Sequence, residues 1–163
     1  MAASTLSHET RNARIQSRKQ AATLQSEVES LPMRNTPRVL YIEDHDDTRE
    51  LVTLVLEQAH YEVITGSTIK SGVDLAVSQH FDLYLLDSWL PDGSGLDLCK
   101  QIREFDQVTP IVFYSAAAYE ADRHLALDSG AQAYLVKPSP PSELCDVVCS
   151  LIESNHRFRR VAV

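Results

Sequence analysis

The sequence has no apolar run approaching the roughly 18 residues that a membrane-crossing helix requires, so a transmembrane helix is not its organising element. Its first residues lack the apolar core of a secretory signal. Cysteine is scarce: Cys99, Cys145 and Cys149 are odd in number and form no C-x-x-C pair. A disulfide framework and a paired-thiolate metal site are thereby disfavoured, and buried free thiols in a reducing cytoplasm are expected. Positive charge is also short. Residues 38–163 carry ten basic and twenty acidic side chains, a net of −10 within a chain total of −8. That domain lacks the cationic face that nucleic-acid binding needs. The local exception, His156-Arg157-Phe158-Arg159-Arg160, reads as a solvated helix end. There is no internal repeat, no low-complexity tract and no D-x-D-x-D-G calcium spacing.

What is present is 44% hydrophobic and 23% charged, enough for an ordinary globular core. Residues 1–37 stand apart as an N-terminal extension, rich in Ser, Thr, Gln, Arg and Ala, with Pro32 and Pro37 near its end. Ala21, Leu24, Val28 and Leu31 follow an a/d spacing for only two heptads, so the extension is expected to be partly helical or disordered. A domain over 38–156 and a short basic tail over 157–163 complete the division. In the domain, strand and helix signals alternate. Strands are expected at Val39–Ile42, Tyr61–Thr65, Leu83–Leu86, Thr109–Tyr114 and Ala133–Val136. Helices are expected from a cap at Asp46 or Asp47 through Gln58, with Leu51, Leu54, Val55 and Gln58 on the inner face, then at Ile69–Gln79 and Gly95–Phe105. Two more follow, Tyr119–Asp128 closed by Gly130, and Pro140–Asn155 with proline in its first turn. Five β-α units imply an α/β fold, a doubly wound parallel sheet with helices on both faces.

Parallel strands bring their carboxyl ends to one rim, where ligands of such sheets bind. Val39–Ile42 ends in Glu43-Asp44, Phe81–Leu86 in Asp87, Val112–Tyr114 in Ser115, and Ala133–Val136 in Lys137. Three carboxylates, one hydroxyl and one ammonium thus gather together. Two carboxylates about 5 Å apart repel by roughly 3 kcal/mol at an effective dielectric near 20, so this rim should attract a divalent cation. Asp87 is the candidate nucleophile toward a phosphoryl group, and a cation offsets the repulsion between two negative reactants. Glu43 and Asp44 supply cation oxygens, Lys137 and Ser115 donors to phosphoryl oxygens.

These phrases resemble the receiver domain of bacterial two-component response regulators over residues 38–155. The residues that carry the likeness are Leu40-Tyr41-Ile42-Glu43-Asp44, Leu85-Leu86-Asp87-Ser88-Trp89-Leu90-Pro91-Asp92-Gly93-Ser94-Gly95, Phe113-Tyr114-Ser115-Ala116 and Tyr134-Leu135-Val136-Lys137-Pro138, in family order and spacing. The resemblance implies a five-stranded sheet of order 2-1-3-4-5 and a cis Lys137–Pro138 bond. It implies that Asp87 accepts a phosphoryl group from a histidine kinase or histidine phosphotransfer protein. Mg²⁺, or Mn²⁺, would be held by Glu43, Asp44, Asp87 and the Trp89 backbone carbonyl. Ser115 and Tyr134 would act as a coupled switch remodelling the face of the fourth helix, fifth strand and fifth helix, where an unknown downstream protein or a second copy of the chain would dock. No catalysis beyond the protein's own phosphorylation and dephosphorylation is implied.

Two positions are unusual for that family. Trp89, two residues after Asp87, is large, and Ala117, two after Ser115, has no polar group to orient water; both point to slow loss of the phosphoryl group. With 1–37 too short for a helix-turn-helix unit and little sequence after the last helix, a stand-alone receiver without nucleic-acid or membrane partners is expected. The alternatives are a receiver cut from a larger regulator or hybrid kinase, an unphosphorylated docking module, and a flavodoxin-like cofactor binder. The last is opposed by Glu43-Asp44-His45-Asp46-Asp47, which would repel a flavin phosphate.

Overall fold

Alternating strands and helices condense around one central sheet. The structure, a computed structural model, describes residues 36–161. The N-terminal extension, with the a/d spacing at Ala21–Leu31, therefore lies outside the described residues apart from Thr36 and Pro37. The strands are β1 (Arg38–Ile42), β2 (Glu62–Gly66), β3 (Leu83–Leu86), β4 (Ile111–Ser115) and β5 (Ala133–Val136). The helices are α1 (Asp46–Gln58), α2 (Ile69–Ser78), α3 (Gly95–Phe105), α4 (Glu120–Asp128) and α5 (Pro141–Val161). A two-residue hairpin, Trp89–Leu90 against Gly93–Ser94, leads into α3. The sheet is parallel with order β2-β1-β3-β4-β5, as the resemblance implied.

Side chains alternate across each strand and divide the core in two. Leu40, Ile42, Tyr84, Leu86, Ile111, Phe113 and Tyr134 face α2, α3 and α4, meeting Ile69, Ala76, Leu98, Ile102 and Ala126. Val39, Tyr41, Leu83, Leu85, Val112, Tyr114 and Leu135 face α1 and α5, meeting Val52, Leu56, Leu144, Val148 and Ile152. β1 and β3, covered on both sides, are buried apart from Arg38, which is why they read as unbroken apolar runs.

The helix ends follow their local chemistry. Thr68 and Ser71 form a reciprocal capping box on α2, and the Ser94 hydroxyl accepts from the Asp97 N–H at the start of α3. Gly130, at φ +101°, closes α4 as expected. Lys137–Pro138 is cis.

Four expectations are corrected. The N-cap of α1 is His45, without a side-chain cap; Asp46 and Asp47 lie in the first turn, where their charge favours the helix dipole. Its inner face is Val52 and Leu56, while Leu51 and Leu54 are 62% and 52% exposed. Apolar residues at 51, 52, 54, 55 and 56 spread over more than half of the helix circumference, so periodicity alone does not select the side that meets the sheet. The last helix continues six residues past Asn155 to Val161, carrying the basic segment with it. Among the described residues of that segment, His156 bonds Asp82 at 2.8 Å and an Arg159 N–H donates to the Thr109 hydroxyl at 3.1 Å. Finally, only Cys99 is a buried thiol. Cys145 is half-buried and Cys149 exposed, because α5 turns Leu144, Val148 and Ile152 inward instead. Among the described residues, no helix is long and apolar enough to cross a membrane.

Candidate functional site

The sheet order places the ends of β1, β3, β4 and β5 side by side, and each is followed at once by a polar side chain or ends in one. Carboxylate oxygens of Glu43, Asp44 and Asp87 lie within 4.8 Å of one another. Glu43 and Asp87 are buried, at 3% and 7% exposure, whereas Asp44 faces solvent. The Lys137 ammonium donates to Asp87 Oδ1 at 2.9 Å and to Glu43 Oε2. One partly buried ammonium thus answers two buried carboxylates and leaves the cluster negative. An all-oxygen set of this density suits a hard divalent cation, which tolerates a few carboxylates and completes its shell with water.

Backbone packing holds this cluster. The Asp87 N–H donates to the Ile42 carbonyl at 2.9 Å and the Lys137 N–H to the Ser115 carbonyl at 2.8 Å. The Trp89 N–H donates to Asp87 Oδ2 at 3.0 Å, while its indole is 68% exposed. Gly95 is required by close approach: a Cβ there would sit 1.9 Å from the Asp87 carbonyl oxygen. Arg49 donates to the Glu43 carbonyl at 2.7 Å, tying α1 to the end of β1.

Ser115 is fully buried at the end of β4 and accepts from the Ala117 N–H at 3.3 Å. The Tyr134 hydroxyl donates to the Ala117 carbonyl at 2.7 Å, and its ring stacks on Phe113 with centroids 6.0 Å apart. Ser115 and Tyr134 therefore meet on the backbone of one residue.

Two tyrosines beneath the cluster were not singled out from the sequence. The Tyr41 hydroxyl donates to Glu43 Oε2 at 2.9 Å. Burial foremost, and then the Glu43 charge and the hydrogen bond to it, keep this phenol protonated far above the usual tyrosine range. The Tyr114 ring lies under Lys137, with the ammonium 5.3 Å from its centroid. Strand alternation was a usable signal for Tyr41, since residues 41 and 43 point to the same side of β1.

Known proteins bear on this geometry. A family model described as the response regulator receiver domain matches residues 39–149. The chain is 38% identical to the response regulator ArlR of Staphylococcus saprophyticus over 107 residues, 66% of this chain and 48% of that protein. ArlR of Staphylococcus aureus strain Mu50 is 36% identical over the same share of both chains. The chain thus spans about half the length of the curated relatives it matches. Among solved structures, the non-phosphorylated HemR receiver domain of Leptospira biflexa superposes with a TM-score of 0.67 at 33% identity, covering 71% of this chain and 94% of that one. The receiver domain of the sensor histidine kinase PA1611 of Pseudomonas aeruginosa, solved with a magnesium ion coordinated in its active-site cleft, gives 0.69 at 26%, covering 73% and 99%. The match to the family model over most of the domain, together with an acidic cluster at the carboxyl rim of the same sheet, leaves one assignment: the chain belongs to the response regulator receiver domain family.

Proposed function

We propose that this chain is a phosphorylation-controlled switch of a two-component pathway, with Asp87 as phosphoacceptor. The observation that carries the reading is the Lys137 ammonium shared between Asp87 and Glu43 beside Asp44. An Asp87 oxygen attacks the phosphorus of a phosphohistidine on a histidine kinase or phosphotransfer protein. The N–P bond breaks as the O–P bond forms, and the imidazole leaves with the electron pair. Glu43, Asp44, Asp87 and the Trp89 backbone carbonyl would hold Mg²⁺ or Mn²⁺. When bound, that cation supplies the positive charge that offsets repulsion between carboxylate and phosphoryl group. Lys137 moves from the Asp87 carboxylate to a phosphoryl oxygen, and the Ser115 hydroxyl donates to another.

The Ser115 hydroxyl accepts from the Ala117 N–H, so its pull toward a phosphoryl oxygen bears on the backbone of Ala117, and the Tyr134 hydroxyl is bonded to that same residue. The two-state element is therefore the segment after β4, biased by the new charge. Its readout is the face of α4, β5 and α5, where Leu125 and Val136 are exposed. A downstream protein, or a second copy of the chain, would bind there, and the protein would work in the cytoplasm. We place the receiver unit at residues 38–156, with 1–37 as an extension and 157–163 as its basic end. Beyond self-phosphorylation and self-dephosphorylation, no catalysis is assigned to it. A second reading, that this receiver works within a longer regulator, is favoured by relatives about twice the length of the matched region.

The test is intact-mass analysis with Mg²⁺ and acetyl phosphate. The protein should gain one acid-stable, base-labile phosphoryl group. Asp87→Asn should gain none, and Lys137→Ala should take up label yet fail to show the conformational response. Equal labelling of Asp87→Asn would remove the site assignment.

A further inference from the structure

Tyr41 poses a problem that its neighbours solve. It lies inside β1, fully buried, on the side that packs against α1 and α5. The apolar company of Val39, Leu85 and Val112 would suit an aliphatic or phenyl side chain equally well, and a buried hydroxyl is costly unless it finds a partner. The partner it finds is neither backbone nor a structural side chain but Glu43 Oε2, at 2.9 Å. The same oxygen receives Lys137, and Glu43 Oε1 accepts the His45 N–H at 3.3 Å. The glutamate, with three rotatable bonds, is therefore pinned at both oxygens. Its length matters here: an aspartate at 43 would withdraw the carboxylate by one methylene from the Tyr41 hydroxyl.

We infer that Tyr41 is a positioning residue of the phosphoacceptor site, whose hydroxyl fixes Glu43 as a preordered cation ligand and keeps it beside Lys137. This deepens the proposed function and rests on it. Tyr41 touches neither the cation nor the phosphoryl group; it acts through Glu43. Without the hydroxyl, Glu43 keeps Lys137 and the His45 N–H but loses its tie to the core of the sheet, so part of its ordering falls to the cation, and ordering a rotamer-rich side chain weakens association by about three- to tenfold. Once the cation is bound, the cost has been met and Asp87 reacts as before.

The experiment is calorimetric titration of the full chain with Mg²⁺ for the unmutated protein, Tyr41→Phe, Glu43→Asp and the double variant, with acetyl phosphate labelling measured on each. Tyr41→Phe should raise the Mg²⁺ Kd about three- to tenfold. It should slow labelling below saturating Mg²⁺ and leave the rate at saturating Mg²⁺ unchanged. In the Glu43→Asp background the carboxylate no longer reaches residue 41, so adding Tyr41→Phe should change the Kd less than twofold, a non-additive pair. A Tyr41→Phe protein with a lowered Tm but an unchanged Mg²⁺ Kd would make the tyrosine a packing residue and overturn the inference. An equal loss in the Glu43→Asp background would overturn it too, by showing that the effect does not pass through Glu43. Should Tyr41→Phe fail to fold, Tyr41→Leu, which also removes the hydroxyl and leaves the Glu43 ligand intact, takes its place with the same expected rise in Kd and the same overturning result. Failure of the parent reading looks different, since the unmutated protein would then neither bind Mg²⁺ nor take up label.

Discussion

The two rims of the sheet are built from the same kinds of residue and are opposite in character. At the amino rim, the charged groups are satisfied by hydrogen bonds. Asp82 accepts from the Arg38 N–H and pairs with His156. Asp106 accepts from the Val108 and Thr109 N–H groups and from the Tyr84 hydroxyl. Arg103 donates to the Gly130 and Asp106 carbonyls and to Gln132. At the carboxyl rim, three clustered carboxylates meet one ammonium. Satisfied polar groups lock helices to strands, whereas an excess of one sign stores a demand for a ligand. The same residue type, aspartate, is therefore satisfied by its neighbours at 82 and 106 and left in an excess of negative charge at 44 and 87.

The sharpest way to break this contrast is to remove a carboxylate from each rim. Asp106→Ala would strand two backbone donors and the Tyr84 hydroxyl, at a cost of about 2 kcal/mol by chemical denaturation. The same residue predicts a pH effect. Burial acts to raise the Asp106 pKa, but hydrogen bonds from Thr109, Val108 and Tyr84 outweigh it and leave it below the usual carboxylate value. A lowered folded-state pKa gives stability that is fully present above the unfolded value, about 4, and lost as pH falls through the folded one. Asp106→Asn should therefore flatten the loss of stability below about pH 4. A steeper loss in that variant would reverse the assignment.

At the other rim the sign should invert. Asp44→Asn removes like-charge repulsion from an exposed position and should raise stability without Mg²⁺ by about 1 kcal/mol after allowance for solvent screening. Mg²⁺ should supply the same relief to the unmutated protein, about 1.4 kcal/mol at ten times its Kd, and Asp44→Ala should lose most of that gain. A Tm indifferent to Mg²⁺ in the unmutated protein would show that the carboxyl rim is as satisfied as the amino rim.

The smallest expected effect concerns the edge of the carboxyl rim. Trp89 is the only tryptophan, its N–H holds Asp87 Oδ2, and its ring is largely exposed. Its emission should shift with Mg²⁺ and again with beryllofluoride, the second shift disappearing in Asp87→Asn. If the indole shields the phosphoryl group, Trp89→Asn should speed dephosphorylation severalfold, tenfold corresponding to about 1.4 kcal/mol. Unmoved emission together with an unchanged decay rate would leave Trp89 as an exposed loop residue.

Much of the rim could be read directly. Strand ends are local events: an apolar run stops and a charged or polar residue follows, with a proline close behind after Asp87 and Lys137, so Glu43, Asp44, Asp87, Ser115 and Lys137 declared themselves as run endings. Helix boundaries at Gln58, Gly95 and Phe105 were legible for the same reason. The inner face of α1 was not, because its apolar residues span too wide an arc. Nor was the end of α5 legible, since the partners of His156 and Arg159 lie far back in the chain, at Asp82 and Thr109.

By itself, then, the sequence determined which residues end each strand, the alternation that demands a two-sided parallel sheet, and the chemical types gathered at its rim. All of these depend on neighbours within a few positions. Only the tertiary structure decided which ends touch. Lys137 reaches Glu43 across 94 residues of sequence because β5, β4, β3 and β1 lie in one row. Pairing order also decided that one ammonium serves two carboxylates and that Ser115 and Tyr134 meet at Ala117, and the packing of α5 decided that Cys149 faces water. The physical reason is that burial and hydrogen-bond satisfaction are properties of a packed neighbourhood, and for these residues the neighbourhood is supplied by strands and helices distant in sequence.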